Sequence, residues 1–287
     1  CVDDACFPVK LFHGHVADLI GKVDMVFIPR LISINQEEFI CPKFIGLPEM
    51  IKSSINGLPP IIILDLNLYK SRQDLIKAYI DLGKKVGATS REAILAFREA
   101  ALAQERYESM LKSGKTPLDI IEPKNDKGER VNDNRTIAVI GHPYLIFDRH
   151  ASMNIIDKIR QKGYDVIVPE NVSDGQIEES VSFLPKKLFW SYGKRLLGSS
   201  IFLLKNRKVE GMIFVSSFGC GIDSFMGELI QRFNEREWKI PYTVITLDEH
   251  TGEAGFETRL EAFLDMIKWR EKDDNYISSH GASLYIY

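Results

Sequence analysis

A chain of 287 residues with 45% hydrophobic side chains is long enough to build two domains, each with its own core. A net charge of -3, with no Lys/Arg run interleaved with aromatics, argues against nucleic-acid binding, and no apolar stretch approaches the roughly 18–20 residues of a membrane span. Four cysteines are too few for a disulfide framework, which predicts a reducing, cytoplasmic setting.

The chain opens on Cys1, with Asp3, Asp4 and Cys6 following directly, so an element is expected to precede it. Cys6-Phe7-Pro8 stands at the start of a helix carrying Leu11, Phe12, His15 and Leu19. Residues 23–29 (VDMVFIP) form the short apolar run of a parallel strand buried on both faces, and residues 61–66 (IIILDL) read the same way. Between them, Cys41-Pro42 precedes a helix expected near Leu47. Ser71-Arg72-Gln73-Asp74 and Thr89-Ser90-Arg91-Glu92 are capping-box sequences, predicting one helix to about Leu82 and another from Arg91 to about Leu111.

Residues 113–135 are rich in Lys, Asp, Asn, Pro and Gly and predict an exposed linker. The rhythm then restarts with strands at 136–140, 165–169, 211–216 and 242–247. Helices are predicted at 154–162, around 187–206, at 223–233 and at 256–270, and the remaining tail is predicted to be poorly ordered. Alternating strands and helices imply an α/β fold with parallel sheets. The expected division is a first domain over 1–114 lacking an N-terminal strand, a linker over 115–135, a second domain over 136–270, and a tail over 271–287.

Ligands of open α/β sheets bind beyond the carboxyl ends of the strands, where three cysteines fall. Cys220 follows the strand at 211–216 between Gly219 and Gly221, with Asp223 or Ser224 expected to cap the next helix. Cys41 and Cys6 each precede a Pro-initiated helix, and a thiolate at a helix N-terminus benefits from the dipole and from free N–H groups. The plain alternative is that each is a small buried hydrophobe. No C-x-x-C pair of the kind structural zinc favours is present. Cys1 is close enough to Cys6 to share ligation.

Other polar groups stand at strand ends or beside Cys6. His13 and His15 lie along the helix that starts at Cys6, where either serves to relay a proton or simply bonds to backbone. Asp248, Glu249, His250 and Glu253 form a Gly-punctuated acidic loop after the last strand, suited to proton transfer or to capping the next helix. Gly141-His142-Pro143-Tyr144 is a second candidate lining loop, His142 serving there or as a turn residue. Arg30 holds an anion or a surface salt bridge.

Cys6-Phe7-Pro8-Val9-Lys10-Leu11 with His13-Gly14-His15, the later Cys41-Pro42, and Asp248-Glu249-His250-Thr251-Gly252-Glu253-Ala254-Gly255 before Thr258-Arg259-Leu260 together resemble the acyl-CoA dehydratase activase-related family. That family is similar to the iron–sulfur subunits of 2-hydroxyacyl-CoA dehydratases and to double-cubane-cluster proteins. The resemblance runs from Cys6 to about Trp269. It implies paired Rossmann/flavodoxin-like domains with a cluster site between them, and a redox role driven by an ATP-hydrolysing activator of actin/Hsp70-like fold. The ligands it implies are Cys6, Cys41 and Cys220, and the cysteine count favours one [4Fe–4S] cluster over a double cubane. No phosphate-binding glycine loop occurs, so ATP use belongs to a partner. The expected substrate is an acyl-CoA or another small molecule, handled by a dehydratase or ATP-dependent reductase component, with His250, Glu249, His13 and His15 as candidate proton carriers. Flavodoxin-like pairs also suggest a homodimer. A non-catalytic scaffold of the activator with structural cysteines and a zinc-binding α/β protein are the other two classes left open.

Overall fold

The computed structural model describes residues 5–69, 72–123 and 135–280. The smaller lobe runs through α1 (Phe7–Asp18), β1 (Val26–Ser33), α2 (Pro42–Ile45), α3 (Leu47–Ser54), β2 (Ile61–Asn67), α4 (Arg72–Lys85), α5 (Ser90–Lys112) and α6 (Pro117–Ile121). β1 and β2 pair in parallel, from Val26 opposite Ile61 to Ser33 opposite Asn67. Val16, Val26, Ile28 and Ile51 form the core between this pair and the α1/α3 side.

β1 begins three residues later than the apolar run suggests and extends past Pro29. Residues 19–22 are spent closing α1, with Lys22 N–H bonded to Leu19 O and Gly21 at φ +73°. At the other end Arg30 stays in the strand because Asp65, directly opposite, lies 3.5 Å from it and Glu49 pairs with it from α3. The Thr89 box is realised, Glu92 accepting from the Thr89 amide while Thr89 Oγ1 accepts from the Glu92 amide. The box expected at Ser71 lies outside the described residues.

The larger lobe carries β3 (Thr136–Ile140), α7 (Pro143–Ile146), α8 (Ile155–Gln161), β4 (Asp165–Ile167), α9 (Asp174–Val181), α10 (Ser191–Lys205), β5 (Gly211–Ser217), α11 (Gly221–Phe233), β6 (Tyr242–Leu247) and α12 (Glu253–His280). Its four strands are all parallel, in the order β4-β3-β5-β6. The central strands are apolar on both faces, and alternation divides them cleanly. Ile137, Val139, Ile213 and Val215 pack with Ile155, Ile159, Phe256 and Leu260 on the α8/α12 side. Ala138, Ile140, Met212 and Phe214 pack with Ile177, Leu197, Ile201 and Met226 on the α9/α10/α11 side. Each such fully buried large side chain contributes about 1.5–3 kcal/mol.

The structure departs from the sequence reading between and beyond the predicted elements. The exposed linker fails at its start: Thr116 is fully buried and caps α6 with Asp119, which in turn binds Arg160 of α8 with both oxygens. A polar, Pro-containing stretch is therefore a short capped helix docked on the larger lobe; residues 124–134 lie outside the described set. At the other end α12 runs past the predicted 270 to His280, and residues 281–287 of the expected tail lie outside the described set. α9 was not anticipated, although Ser173-x-x-Gln176 is a capping box that is realised.

Among the described residues no helix is long and apolar enough to cross a membrane.

Candidate metal centre

The larger sheet changes winding direction between β3 and β5. From β3 the chain goes to β4 on one side, then crosses to β5 on the other. The loops leaving β3 and β5 therefore diverge and open a crevice at the carboxyl end of the sheet. His142 leaves β3 into that crevice and Cys220 leaves β5. Cys6 and Cys41 arrive from the smaller lobe, and all four side chains line one cavity with Tyr144 and Tyr192.

All four occupy the same local position. Cys6, Cys41, His142 and Cys220 are the N-cap residues of α1, α2, α7 and α11. In the first three a proline in the first turn starts the helix, since it lacks only an N–H that the first turn leaves unbonded anyway. None of those three makes a side-chain capping bond, so each cap side chain is left to the cavity. Cys220 itself caps α11, its Sγ accepting from the Asp223 amide at 3.4 Å. Asp223 and Ser224 are thus not the caps the sequence suggested.

Two glycines permit the close approach. Gly219 has φ +76°, and a Cβ there would lie 3.3 Å from Cys6 Cα. Phe7 N–H, 3.4 Å from Phe218 O, ties the same two segments together. Gly141 lets the β3 loop lie directly on β5, where a Cβ would sit 3.0 Å from Val215 O.

Cys41 reaches the crevice on a strap. Phe39 forms a parallel bridge with Trp190, its N–H bonded to Phe189 O at 3.0 Å and its carbonyl accepting from Ser191 N–H at 3.1 Å. Glu38 beside it makes a buried ion pair with Lys194 of α10.

Behind the thiols lies a buried acid. Asp223 is fully buried; its Oδ2 accepts from the Ser217 amide at 2.8 Å, and its Oδ1 lies 2.8 Å from His142 Nε2. That second contact lacks the alignment of a ring N–H bond, so neither nitrogen of His142 makes a hydrogen bond among the described residues. The His142 ring stacks on Tyr144 at 5.0 Å between centroids and meets the edge of Tyr192 at 5.3 Å. A nitrogen of His142, Cys220 Sγ and an Asp223 oxygen all fall within 4.8 Å of one another. Burial first, and the Asp223 carboxylate second, push the Cys220 thiol up to about 12. The same two causes hold the Tyr144 phenol well above its usual range. A cation in the crevice reverses this balance, since a coordinating thiol is deprotonated outright.

Cys6, Cys41 and Cys220 are free thiols that line this cavity together; Cys1 lies outside the described residues. The proposed proton carriers are not brought to them. His13 is buried with Nδ1 2.7 Å from Val9 O, and the exposed His15 lies 3.9 Å from Asp148 Oδ2. Glu249 pairs with Lys10, which holds its carboxyl below the usual range. His250 is exposed, with its amide bonded to Asp248 Oδ1. None of the four lines the cavity.

No curated protein matches the chain. Residues 194–267, spanning α10, β5, Cys220 and β6, match the 2-hydroxyglutaryl-CoA dehydratase D-component. Residues 1–172, with Cys6, Cys41 and His142 among them, match the CoA enzyme activase uncharacterised domain. With 172 of its 287 residues covered by that single match, the chain belongs to the CoA enzyme activase uncharacterised-domain family, which is related to activases and dehydratases of CoA thioesters.

Proposed function

We propose that this chain is an iron–sulfur redox component of the 2-hydroxyacyl-CoA dehydratase type, holding one [4Fe–4S] cluster on Cys6, Cys41 and Cys220. The observation that carries the reading is the convergence of three free cysteines from three distant loops on one crevice at the switch point of the sheet. Cysteines kept only as small hydrophobes need not meet. The donor set is soft, and a trio of converging thiols is the chemistry that iron–sulfur clusters use.

When bound, such a cluster supplies one-electron transfer at a potential tuned by its surroundings. The chain's own residues hold and shelter it. The three cysteines would ligate it, the Asp223 amide in the first turn of α11 already bonds to the Cys220 sulfur, and Tyr144, Tyr192 and Phe44 exclude water. Asp223, anchored on the Ser217 amide, keeps the Cys220 loop in register. ATP hydrolysis falls to a separate activator of actin/Hsp70-like fold, and electrons pass from it to a small substrate, an acyl-CoA in the sharper form of the proposal. His13, His15, Glu249 and His250 carry no step in it, because none lines the crevice.

A second reading is a single zinc ion, favoured by the compact His142, Cys220 and Asp223 group. Anaerobic purification followed by iron, sulfide and zinc analysis separates the two. The expected outcome is a brown protein with iron and acid-labile sulfide, whose absorption is lost in Cys6→Ser, Cys41→Ser and Cys220→Ser and retained in Cys1→Ser. Zinc without sulfide decides for the second reading. A colourless, iron-free protein after anaerobic reconstitution sinks the first.

A further inference from the structure

We infer that His142 is the fourth ligand of this centre, its imidazole completing a three-thiolate, one-nitrogen set. The inference rests on the iron–sulfur reading above and names the group that meets the iron left without a cysteine.

Three independent features lead there. The first is position: His142 follows β3, as Cys220 follows β5, across the switch point, and like Cys6 and Cys41 it caps a Pro-initiated helix without bonding to it. The second is burial with Nδ1 left unmet. His142 is 1% exposed and neither ring nitrogen has a hydrogen bond among the described residues. Leaving a buried donor or acceptor unmet costs about 1–3 kcal/mol, so an imidazole serving only as a packing block would be a poor choice of side chain. The third is the group behind it. A metal-ligating histidine characteristically presents its other nitrogen to a carboxylate, which fixes the ring and raises its basicity. Asp223 Oδ1, 2.8 Å from Nε2, occupies that place, and Asp223 is itself pinned by the Ser217 amide. With Nε2 against the carboxylate, Nδ1 is the nitrogen left to ligate. Tyr144 stacked on one face and Tyr192 at the edge hold the ring in this orientation.

A neutral imidazole in place of a thiolate leaves the cluster one negative charge poorer. That raises its reduction potential, in the direction that histidine ligation raises Rieske centres.

The test is pulsed EPR on the reduced wild-type protein, reconstituted anaerobically with iron and sulfide and grown with 15N-histidine. The expected result is a strongly coupled nitrogen whose hyperfine signature changes with the isotope. His142→Cys is expected to keep iron and sulfide, lose the nitrogen coupling, and shift the midpoint potential to a lower value. Iron and sulfide bound with no strongly coupled nitrogen overturns the His142 assignment and leaves the iron–sulfur reading standing. A wild-type chain that takes up no iron overturns both. Because the decisive spectrum is taken on the wild type, poor folding of a variant does not blur the answer.

Discussion

At the scale of single residues, the centre depends on what is missing from two positions as much as on what is present. Gly219 combines a left-handed φ of +76° with a Cβ position 3.3 Å from Cys6 Cα. A side chain there meets both the backbone penalty of the left-handed region, about 1–2 kcal/mol, and the main chain that carries a ligand. Gly219→Ala is therefore expected to lose about 2 kcal/mol in urea unfolding and to load iron poorly. Gly221, two residues on, has open space around its Cβ position and no positive φ, so Gly221→Ala is the control and should be close to neutral. Equal effects of the two substitutions on metal loading would remove the argument for close approach. Asp223 shows the same economy, one buried carboxylate holding the Ser217 amide and facing His142.

At the scale of elements, the strap over residues 37–41 couples the lobes. Its backbone bridge to residues 189–191 is short, so side chains must help hold it. Lys194 sits between buried Glu38 and exposed Glu178, and its side chain is 12% exposed. Burial opposes its charge, and the two carboxylates more than restore it, so its pKa is raised. Removing one partner of a buried pair strands the other. Lys194→Met is expected to cost about 3 kcal/mol, against less than about 1 for Glu178→Gln at the exposed end. The double variant Glu38→Leu/Lys194→Met should recover most of the loss, as apolar replacements of buried pairs do. Chemical denaturation of the four proteins measures this. A Lys194→Met variant no weaker than Glu178→Gln would show the clamp to be ornamental. Hydrogen exchange at residues 39–41 should quicken in Lys194→Met if the strap also holds Cys41 in place.

At the scale of the whole molecule, stability carries the mark of one stranded acid. Glu170 follows β4 with neither carboxylate oxygen hydrogen-bonded among the described residues. Burial pushes it up from 4.5 to about 7, with its own amide and Arg195 pulling back only in part. Below about pH 4.5 both folded and unfolded chains hold the proton. Between about 4.5 and 7 the unfolded chain releases it first, so stability falls as pH rises through that window and then levels off. The loss amounts to about 3 kcal/mol at roughly 1.4 kcal/mol per pKa unit. Glu170→Gln is expected to gain most of that at pH 8 and little at pH 4.5, read from unfolding midpoints across the range. Equal gain at both ends would mean that the side chain's charge is not the cause. Asp119 works oppositely: burial alone would raise it, but Arg160 and Thr116 outweigh burial and hold it at about 2. Its contribution is present above about pH 3.8 and lost as pH falls toward 2. With its side chain 29% exposed, the net is about 1 kcal/mol.

Much of this protein is determined by local sequence. The strands of the larger lobe are short apolar runs bounded by turns. The helix starts at Cys6, Cys41 and Thr89 follow from proline or capping chemistry within four residues, so the three cysteines could be placed at helix mouths without any tertiary information. β1 slipped because an apolar run does not reveal how many residues the preceding helix needs in order to close. Thr116 was misplaced because a polar stretch reads as solvent-exposed until a partner such as Arg160 is known. The crossover from β4 over β3 to β5 is a non-local event, and only it decided that loops far apart in sequence share one crevice. That crossover also decided that His142, written in the sequence as a turn residue before Pro143, stands beside Cys220 and Asp223, and that the Glu170 carboxyl is shut away from water. Capping and strand formation are settled within a turn of chain, whereas convergence and burial depend on which surfaces the packed lobes finally cover.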